Sequence, residues 1–451
     1  MTLSDLPIIK DAKRIGVFGL GRSNRAILGM LKDKDVIIRS EANIDRADIP
    51  NRVSPIEIYD GDRAFDDPKE TVLICSPSVR RERAEFSKFA ARGTLFTSDA
   101  ELFFSAVQAP VIAVTGSDGK STTSALVGEL LRERHPDAIV AGNIGRPLCE
   151  LLGRDEITVA ELSSFTLRYL EPLSTRAAIT CITPNHLNWH ASFDEYKAAK
   201  TSVFRNTGGG VINFDDPISS PLAKDEKVYA IFSTEKSYRE LGPLGKRIVY
   251  TVERGSICRN GVPLFPTNSV TRKEHHNLLN LMCAMALTDG YVTPRWVEEV
   301  AHSFHGLNHR MEEVGELSSI TFINSSIDTT PARTLATLSS LERRCTVILG
   351  GKDKGLSFSE LGERIAKYAR GAVLLGECAG QISECLPDGF TRRSAANMEE
   401  AVSIAFSLSI PGDAVILSPS ATSYDRYKSF EERGDHFKEV VKNFIIKQKK
   451  M

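Results

Sequence analysis

The sequence predicts an α/β protein of three consecutive blocks, each a mostly parallel sheet with helices on both faces. Three observations carry that prediction. Short apolar runs alternate with helix-forming stretches along the chain, an order that lays helices over parallel strands. Two of those runs, at 14–18 and 111–115, lead directly into glycine-bearing turns, the form of a strand-to-helix crossing that accepts phosphate. At 451 residues the chain also exceeds what one ordinary core organises. The expected domains are 1–98, 99–306 and 307–451.

In the first block Arg14–Phe18 reads as a strand and Gly19-Leu20-Gly21-Arg22-Ser23-Asn24 as the turn after it. The turn resembles the dinucleotide fingerprint, with Asn24 where the third glycine belongs. It predicts a Rossmann-like domain holding some phosphate-bearing ligand, not a nicotinamide cofactor in particular. Val36–Ile38 and Thr71–Cys75 supply further strands, the latter running into Ser76-Pro77-Ser78. In the second block the apolar run at 111–115 meets Gly116-Ser117-Asp118-Gly119-Lys120-Ser121, and Thr122 opens a helix-forming stretch. Residues 157–160 run into Glu161-Leu162-Ser163-Ser164-Phe165, and 177–182 into Thr183-Pro184-Asn185-His186. Gly208-Gly209-Gly210 interrupts the pattern later on. The third block alternates again: Ile320–Ile323, a helix from Pro331 to Glu342, Cys345–Leu349, a Gly350-Gly351 turn, Ala372–Leu375 and Ala414–Leu417. Pro331 suits a first helical position, where its missing N–H costs nothing.

The turn at 115–121 has the compact form Thr-Gly-x-x-Gly-Lys-Ser. Backbone N–H groups at such a turn point at phosphate oxygens, Lys120 adds a mobile positive charge, and the Ser121 hydroxyl is a Mg²⁺ ligand. In a parallel sheet ligands sit at the carboxyl ends of strands, so Lys120, Glu161 and His186 are expected to share one crevice. There a carboxylate beside bound phosphates suits a hard cation. Taken singly, Glu161 reads as a solvated loop charge and His186 as a satisfied histidine beside a turn; together with the phosphate loop they read as Mg²⁺ ligands. Phe193, Tyr196, Lys200, Val203 and Phe204 fall on one helical face, which puts a lysine in an apolar seam. Either its ammonium snorkels out to water, or it is a functional lysine with a perturbed pKa.

Composition narrows the classes. Fifty-seven Lys+Arg against 58 Asp+Glu leave no basic surplus for nucleic acid. The eight cysteines contain no C-x-x-C pair, and Cys75, Cys181 and Cys345 lie in strand-like apolar runs. They read as buried thiols in a reducing compartment. The N-terminus lacks the apolar stretch of a signal peptide, and no run suffices to span a membrane. A cytoplasmic protein with no nucleic-acid or membrane partner is expected, acting as a monomer.

Taken together, the ordered motifs resemble the Mur ligases, ATP-dependent amide ligases of peptidoglycan precursor synthesis. The resemblance covers nearly the whole chain. It rests on Thr115 to Ser121, Gly142-Asn143-Ile144-Gly145, Glu161 to Phe165, Asn185-His186, Lys200, His309-Arg310-x-Glu312 and Gly350-Gly351-x-Asp353-Lys354. It ends with Ser418-Pro419 through Ser423 to Phe430-Glu431-Glu432-Arg433-Gly434-Asp435. This C-terminal set is the part particular to the D-glutamate-adding member.

The resemblance implies a UDP-substrate-binding first domain, an ATP-binding second and an amino-acid-binding third. The substrates would be UDP-N-acetylmuramoyl-L-alanine and D-glutamate, the cofactors ATP and Mg²⁺. Gly21, Arg22, Ser23, Asn24, Ser40, Ser76 and Ser163 would hold the nucleotide substrate. Gly116, Ser117, Asp118, Gly119, Lys120, Ser121, Thr122, Asn143 and Arg310 would hold ATP, and Ser121, Glu161, His186 and Lys200 the metal. Lys200 would act as a carbamate, formed with CO₂, which turns a buried cation into an anionic ligand. Lys120, His186 and Lys200 would form the catalytic set, while Thr329, Lys354, Ser423 and Phe430 frame the amino acid. The chain departs from the family where Ser325 replaces a ribose-binding aspartate and Ile327 a lysine. Thr166 and Asn188 likewise stand where Gln and Asp are usual. Three other readings stay open: a related or folylpolyglutamate-type ligase taking L-glutamate, an NAD-dependent oxidoreductase suggested by Gly19-x-Gly21, and a nucleotide-dependent switch.

Overall fold

A computed structural model describes residues 2–31, 34–44, 46, 49–50, 53, 55–241, 247–341, 343–352 and 357–449. The chain divides into two compact units, Met1–Phe304 and His305–Met451, and the strands among the described residues form three sheets.

The first sheet holds β1 (Arg14–Phe18), β2 (Asp35–Ser40), β3 (Glu57–Asp60), β4 (Val72–Cys75) and β5 (Leu95–Thr97). All pair in parallel, in the order β3-β2-β1-β4-β5. Ile15, Val17, Val36, Ile38, Val72 and Ile74 are buried, so these strands read as continuous apolar runs because both faces are covered. Asn24 does work here that a glycine could not. Its buried amide donates to the Phe18 and Gly19 carbonyls, at 3.0 and 2.8 Å, and to Ser76 Oγ at 3.1 Å, tying the β1 turn to the end of β4.

The second sheet comprises β6 (Val111–Thr115), β7 (Ile139–Gly142), β8 (Thr158–Glu161), β9 (Arg176–Ile179), β10 (Gly210–Asn213), β11 (Val228–Ser233), β12 (Ile248–Glu253), β13 (Ser256–Arg259) and β14 (Val262–Pro266). Their order is β14-β13-β12-β11-β10-β9-β6-β8-β7. β12, β13 and β14 pair antiparallel through turns at Arg254-Gly255 and Asn260-Gly261, all four residues at positive φ. That backbone matches the twist of a two-residue hairpin. One face is covered by the helices Lys120–Leu131 and His275–Leu287, with Leu126, Leu130, Leu281 and Met282 in its core; Tyr196, Val203 and Leu148 pack on the other. β6 lies between β8 and β9, with Val114 opposite Glu161 and Thr115 opposite Ile179. This register brings together the loops that leave the three strands.

The third sheet is β15 (Glu312–Leu317), β16 (Ile320–Asn324), β17 (Cys345–Leu349), β18 (Ala369–Leu374), β19 (Thr391–Ser394) and β20 (Ala414–Leu417). It runs β15-β16-β20-β17-β18-β19, antiparallel only at β15. The helix expected from Pro331 ends at Ser340.

Candidate active site

After β6 the chain turns through Gly116 and Gly119, at φ 149° and 79°. A Cβ on Gly116 would lie 1.8 Å from Thr180 Oγ1, and one on Gly119 would lie 2.3 Å from Asn280 Oδ1, so glycine is required on steric grounds as well as for φ. The helix starts at Lys120 with Gly119 as its N-cap, two residues earlier than the expected opening at Thr122. The first-turn amides at Lys120, Ser121 and Thr122 have no acceptor within their own helix and carry its positive dipole end. Lys120 Nζ folds back to the Ser117 carbonyl at 2.8 Å. Ser117 Oγ accepts from the Thr183 amide and pairs with the Tyr196 hydroxyl, both at 2.8 Å. Thr180 Oγ1 donates to the Asp118 carbonyl. Thr180, Tyr196 and Asn280 thus brace the loop, and sequence reasoning missed their part in it. Only Tyr196 left a signal, as a member of the Lys200 stripe. Cys181 is half-exposed beside the loop, with the Asp118 amide directed at its Sγ (3.4 Å), and not inside a buried strand as expected.

Glu161 is not a solvated loop charge. It closes β8 at 1 % exposure, and Asn143 Nδ2 donates to its Oε1 at 2.7 Å. Its Oε2 is buried and has no hydrogen-bond partner among the described residues. A buried anionic oxygen without a donor is costly, and a hard cation is the group that suits it. Lys200 does not snorkel. It is 2 % exposed, donates to the Gly116 carbonyl at 2.6 Å and lies over the Tyr196 ring. Burial, with the Lys120 charge, pulls its pKa down to about 7. His186 is exposed, in a left-handed backbone conformation at φ 54°, with its ring 4.9 Å from that of Phe165. Although the residue is exposed overall, partial enclosure of its ring, then Lys120 and Lys200, lower its pKa in that order, while Glu161 acts on Lys200, so these groups share one electrostatic neighbourhood. Among the described residues no group of three His, Cys, Asp or Glu side chains forms a metal cage. A cation here would therefore need ligands beyond Glu161 and His186.

Beside this centre lies a cleft of about 530 Å³, lined by Gly21, Arg22, Ser23, Asn24, Ser40, Ser76 and Ser163 together with Asn143 and Glu161. All seven residues expected to hold the nucleotide substrate border it. Arg22 Nη2 donates to the Gly142 and Asn143 carbonyls at 3.0 and 3.2 Å, linking the β1 turn to the end of β7.

In the second unit Ser325 is fully buried and its Oγ accepts from the Met311 amide at 3.4 Å. Ser423 is buried, Thr329 and Phe430 are half-buried, and Arg310 is exposed. Asp353 and Lys354 lie outside the described residues. Burial raises the pKa of Asp328, whose Oδ2 accepts from Ser418 Oγ at 2.7 Å.

Fold and site together define a nucleotide-dependent enzyme: a phosphate cradle beside a buried carboxylate, opening on a second ligand cleft. Residues 114–288 match the Mur ligase middle domain and 309–421 the Mur ligase glutamate ligase domain. The chain is 32 % identical to the UDP-N-acetylmuramoylalanine--D-glutamate ligase of Acetivibrio thermocellus over 95 % of its own length and 96 % of that protein's. The enzyme of the same name from Symbiobacterium thermophilum is 32 % identical, covering 96 % and 98 %. The fold is also similar to that of the UDP-N-acetylmuramate-alanine ligase of Thermotoga maritima, at TM-score 0.56 and 18 % identity over 95 % of this chain and 99 % of that one. The chain belongs to the Mur ligase family of ATP-dependent amide ligases.

Proposed function

We propose that this enzyme joins D-glutamate to UDP-N-acetylmuramoyl-L-alanine, with ATP converted to ADP and phosphate, in peptidoglycan precursor synthesis. The supporting observation is the continuity of the site: the cleft lined by Arg22, Asn24 and Ser163 reaches Glu161, at the end of the strand beside β6, and Asn143, which is bonded to it. A nucleotide-linked carboxylate in that cleft has a path to the γ-phosphate of ATP in the loop. The names of the relatives point the same way.

A free carboxylate resists amines because its leaving group would be oxide. In the first step the carboxylate of the alanyl substrate attacks the γ-phosphorus and ADP departs, leaving an acyl phosphate. The glutamate amine then attacks the acyl carbon, and the intermediate collapses to an amide with release of phosphate. Lys120, Ser121 and the amides from Gly116 to Thr122 hold the ATP phosphates. Ser121, Glu161, His186 and a carbamylated Lys200 would hold Mg²⁺, which when bound neutralises charge on the transferred group. Burial and a lowered pKa favour the neutral Lys200 amine that reacts with CO₂. Asn143 fixes Glu161. Arg310 contacts ATP, and Thr329, Ser423 and Phe430 with Lys354 frame the glutamate, a cation there pairing with a carboxylate.

The test is phosphate release with Mg·ATP and UDP-N-acetylmuramoyl-L-alanine, offered D-Glu, L-Glu, D-Asp, L-Lys or diaminopimelate in parallel. Release requires the nucleotide substrate and is fastest with D-Glu, because an amine displaced by about 1 Å reacts roughly a hundredfold more slowly. Ser325 and Ile327 mark where the third domain departs from the family's usual pattern, and the panel tests whether the amino-acid pocket departs with it. A winning L-Glu keeps the chemistry and overturns the stereochemical assignment, and a winning basic amino acid moves the enzyme elsewhere in the family.

A further inference from the structure

Arg433 belongs to the C-terminal motif, yet neither reaction step uses it. Its side chain leaves the helix Phe430–Gln448 and is buried to 3 % exposure. Nε donates to Ser326 Oγ at 2.9 Å, Nη2 to the Ser326 carbonyl at 2.8 Å and Nη1 to the Ala421 carbonyl at 3.1 Å. Ser326 Oγ in turn donates to the Phe430 carbonyl at 2.8 Å. A Cβ on Gly351 would lie 3.1 Å from Nη1, so the guanidinium also rests against the Gly350-Gly351 turn. Among the described residues no carboxylate comes within ion-pair distance of it. Burial lowers its pKa to about 10, which leaves it charged at neutral pH. A buried cation satisfied chiefly by main-chain carbonyls is an expensive way to hold a core together. What it delivers is geometry, because a planar fork fixes several acceptors at once.

The segments that meet around the guanidinium are telling. Ser326 precedes Thr329 by three residues, Ala421 precedes Ser423 by two, Gly351 precedes Lys354 by three, and Phe430 begins Arg433's own helix. We propose that Arg433 is the positioning residue of the amino-acid pocket, a single fork that sets the segments carrying Thr329, Ser423 and Phe430 in register and shapes the site for a dicarboxylic amino acid. This rests on the ligase reading above. Arg433 acts through those segments and touches no reacting atom.

The experiment separates acyl-phosphate formation from amino-acid capture. With Mg·ATP and UDP-N-acetylmuramoyl-L-alanine, hydroxylamine traps the acyl phosphate as a hydroxamate without using the glutamate pocket. In Arg433→Lys the ammonium keeps the charge, but its donors sit on one nitrogen and cannot span the acceptors that the planar fork reaches from three. The KM for D-Glu should rise about tenfold or more, while trapping and the KM for ATP change by no more than about threefold. Ser326→Ala removes one acceptor of the fork together with the hydroxyl's own bond to the Phe430 carbonyl, and should raise the same KM about fivefold, as the loss of two modest hydrogen bonds does. It also decides the matter if Arg433→Lys does not fold, as judged by near-UV circular dichroism. An unchanged KM for D-Glu in a folded variant overturns the proposal, and so does a parallel fall in trapping and ligation, which marks a general structural role. Wild-type enzyme that traps no hydroxamate sinks the ligase reading and this inference with it.

Discussion

Lys200 shows how far a single residue can be read. Its stripe partners Tyr196 and Val203 put it on an apolar face, but periodicity reports direction and not depth, so a snorkelling ammonium and a buried amine look alike in sequence. The fold decides between them through the Gly116 carbonyl, 2.6 Å from Nζ. If the buried amine works as a carbamate, Lys200→Ala loses most activity and millimolar formate or acetate restores part of it by supplying the missing oxygen ligand. The matching physical signature is a ¹³C carbamate resonance in native enzyme equilibrated with labelled bicarbonate. Free lysine alone, with activity indifferent to the substitution, would dispose of the idea. Lys120 makes a cleaner case because its site follows from the Gly-Lys-Ser spacing. Lys120→Ala should fold normally and lower kcat by about a thousandfold or more, the scale on which charge stabilisation in phosphoryl transfer operates. Near-native ligation by the folded variant would remove Lys120 from the mechanism.

At the scale of elements, the loop between β6 and the helix Lys120–Leu131 depends on side chains far away in sequence. Gly119 combines φ 79° with a Cβ position 2.3 Å from Asn280 Oδ1. Gly119→Ala should destabilise by about 1–2 kcal/mol from the left-handed backbone alone, with more from the overlap. Asn280→Ala on the same background should recover the overlap but not the backbone share, leaving a coupling of about 0.5–3 kcal/mol. Urea denaturation of the four proteins measures it, and strict additivity would show that the two residues do not meet. Much of this scale was legible: β1, β17 and β20 coincide with apolar runs because fully buried parallel strands are apolar on both faces. The β12–β13–β14 hairpins were not foreseen, although Asn260-Gly261 is strong turn chemistry. Asn24 was noticed as a missing glycine, whereas its amide supplies three bonds that close the turn. Thr180 and Asn280 could not be found from local pattern, since each reaches the phosphate loop only through long-range contact.

For the whole molecule, the division into Met1–Phe304 and His305–Met451 bears on how ligands are sensed. Every residue lining the 530 Å³ cleft belongs to the first unit. A ligand stabilises what binds it, by about 2.7 kcal/mol at a hundred times its dissociation constant. UDP-N-acetylmuramoyl-L-alanine alone, without ATP or amino acid, should therefore slow amide hydrogen exchange in peptides that contain residues 18–24, 40–42, 76–79, 142–143 and 161–166. Peptides from 305–449 should exchange as before. Arg22 carries the link between the β1 turn and the end of β7, so Arg22→Ala should reduce protection at 142–143 more than at 76–79. Protection spreading evenly over both units would mean that the substrate is sensed by the entire chain, and protection confined to 305–449 would place its site elsewhere. Without change in either unit at saturating substrate, the cleft is not the nucleotide site, and the path from substrate carboxylate to phosphate loop loses its first step.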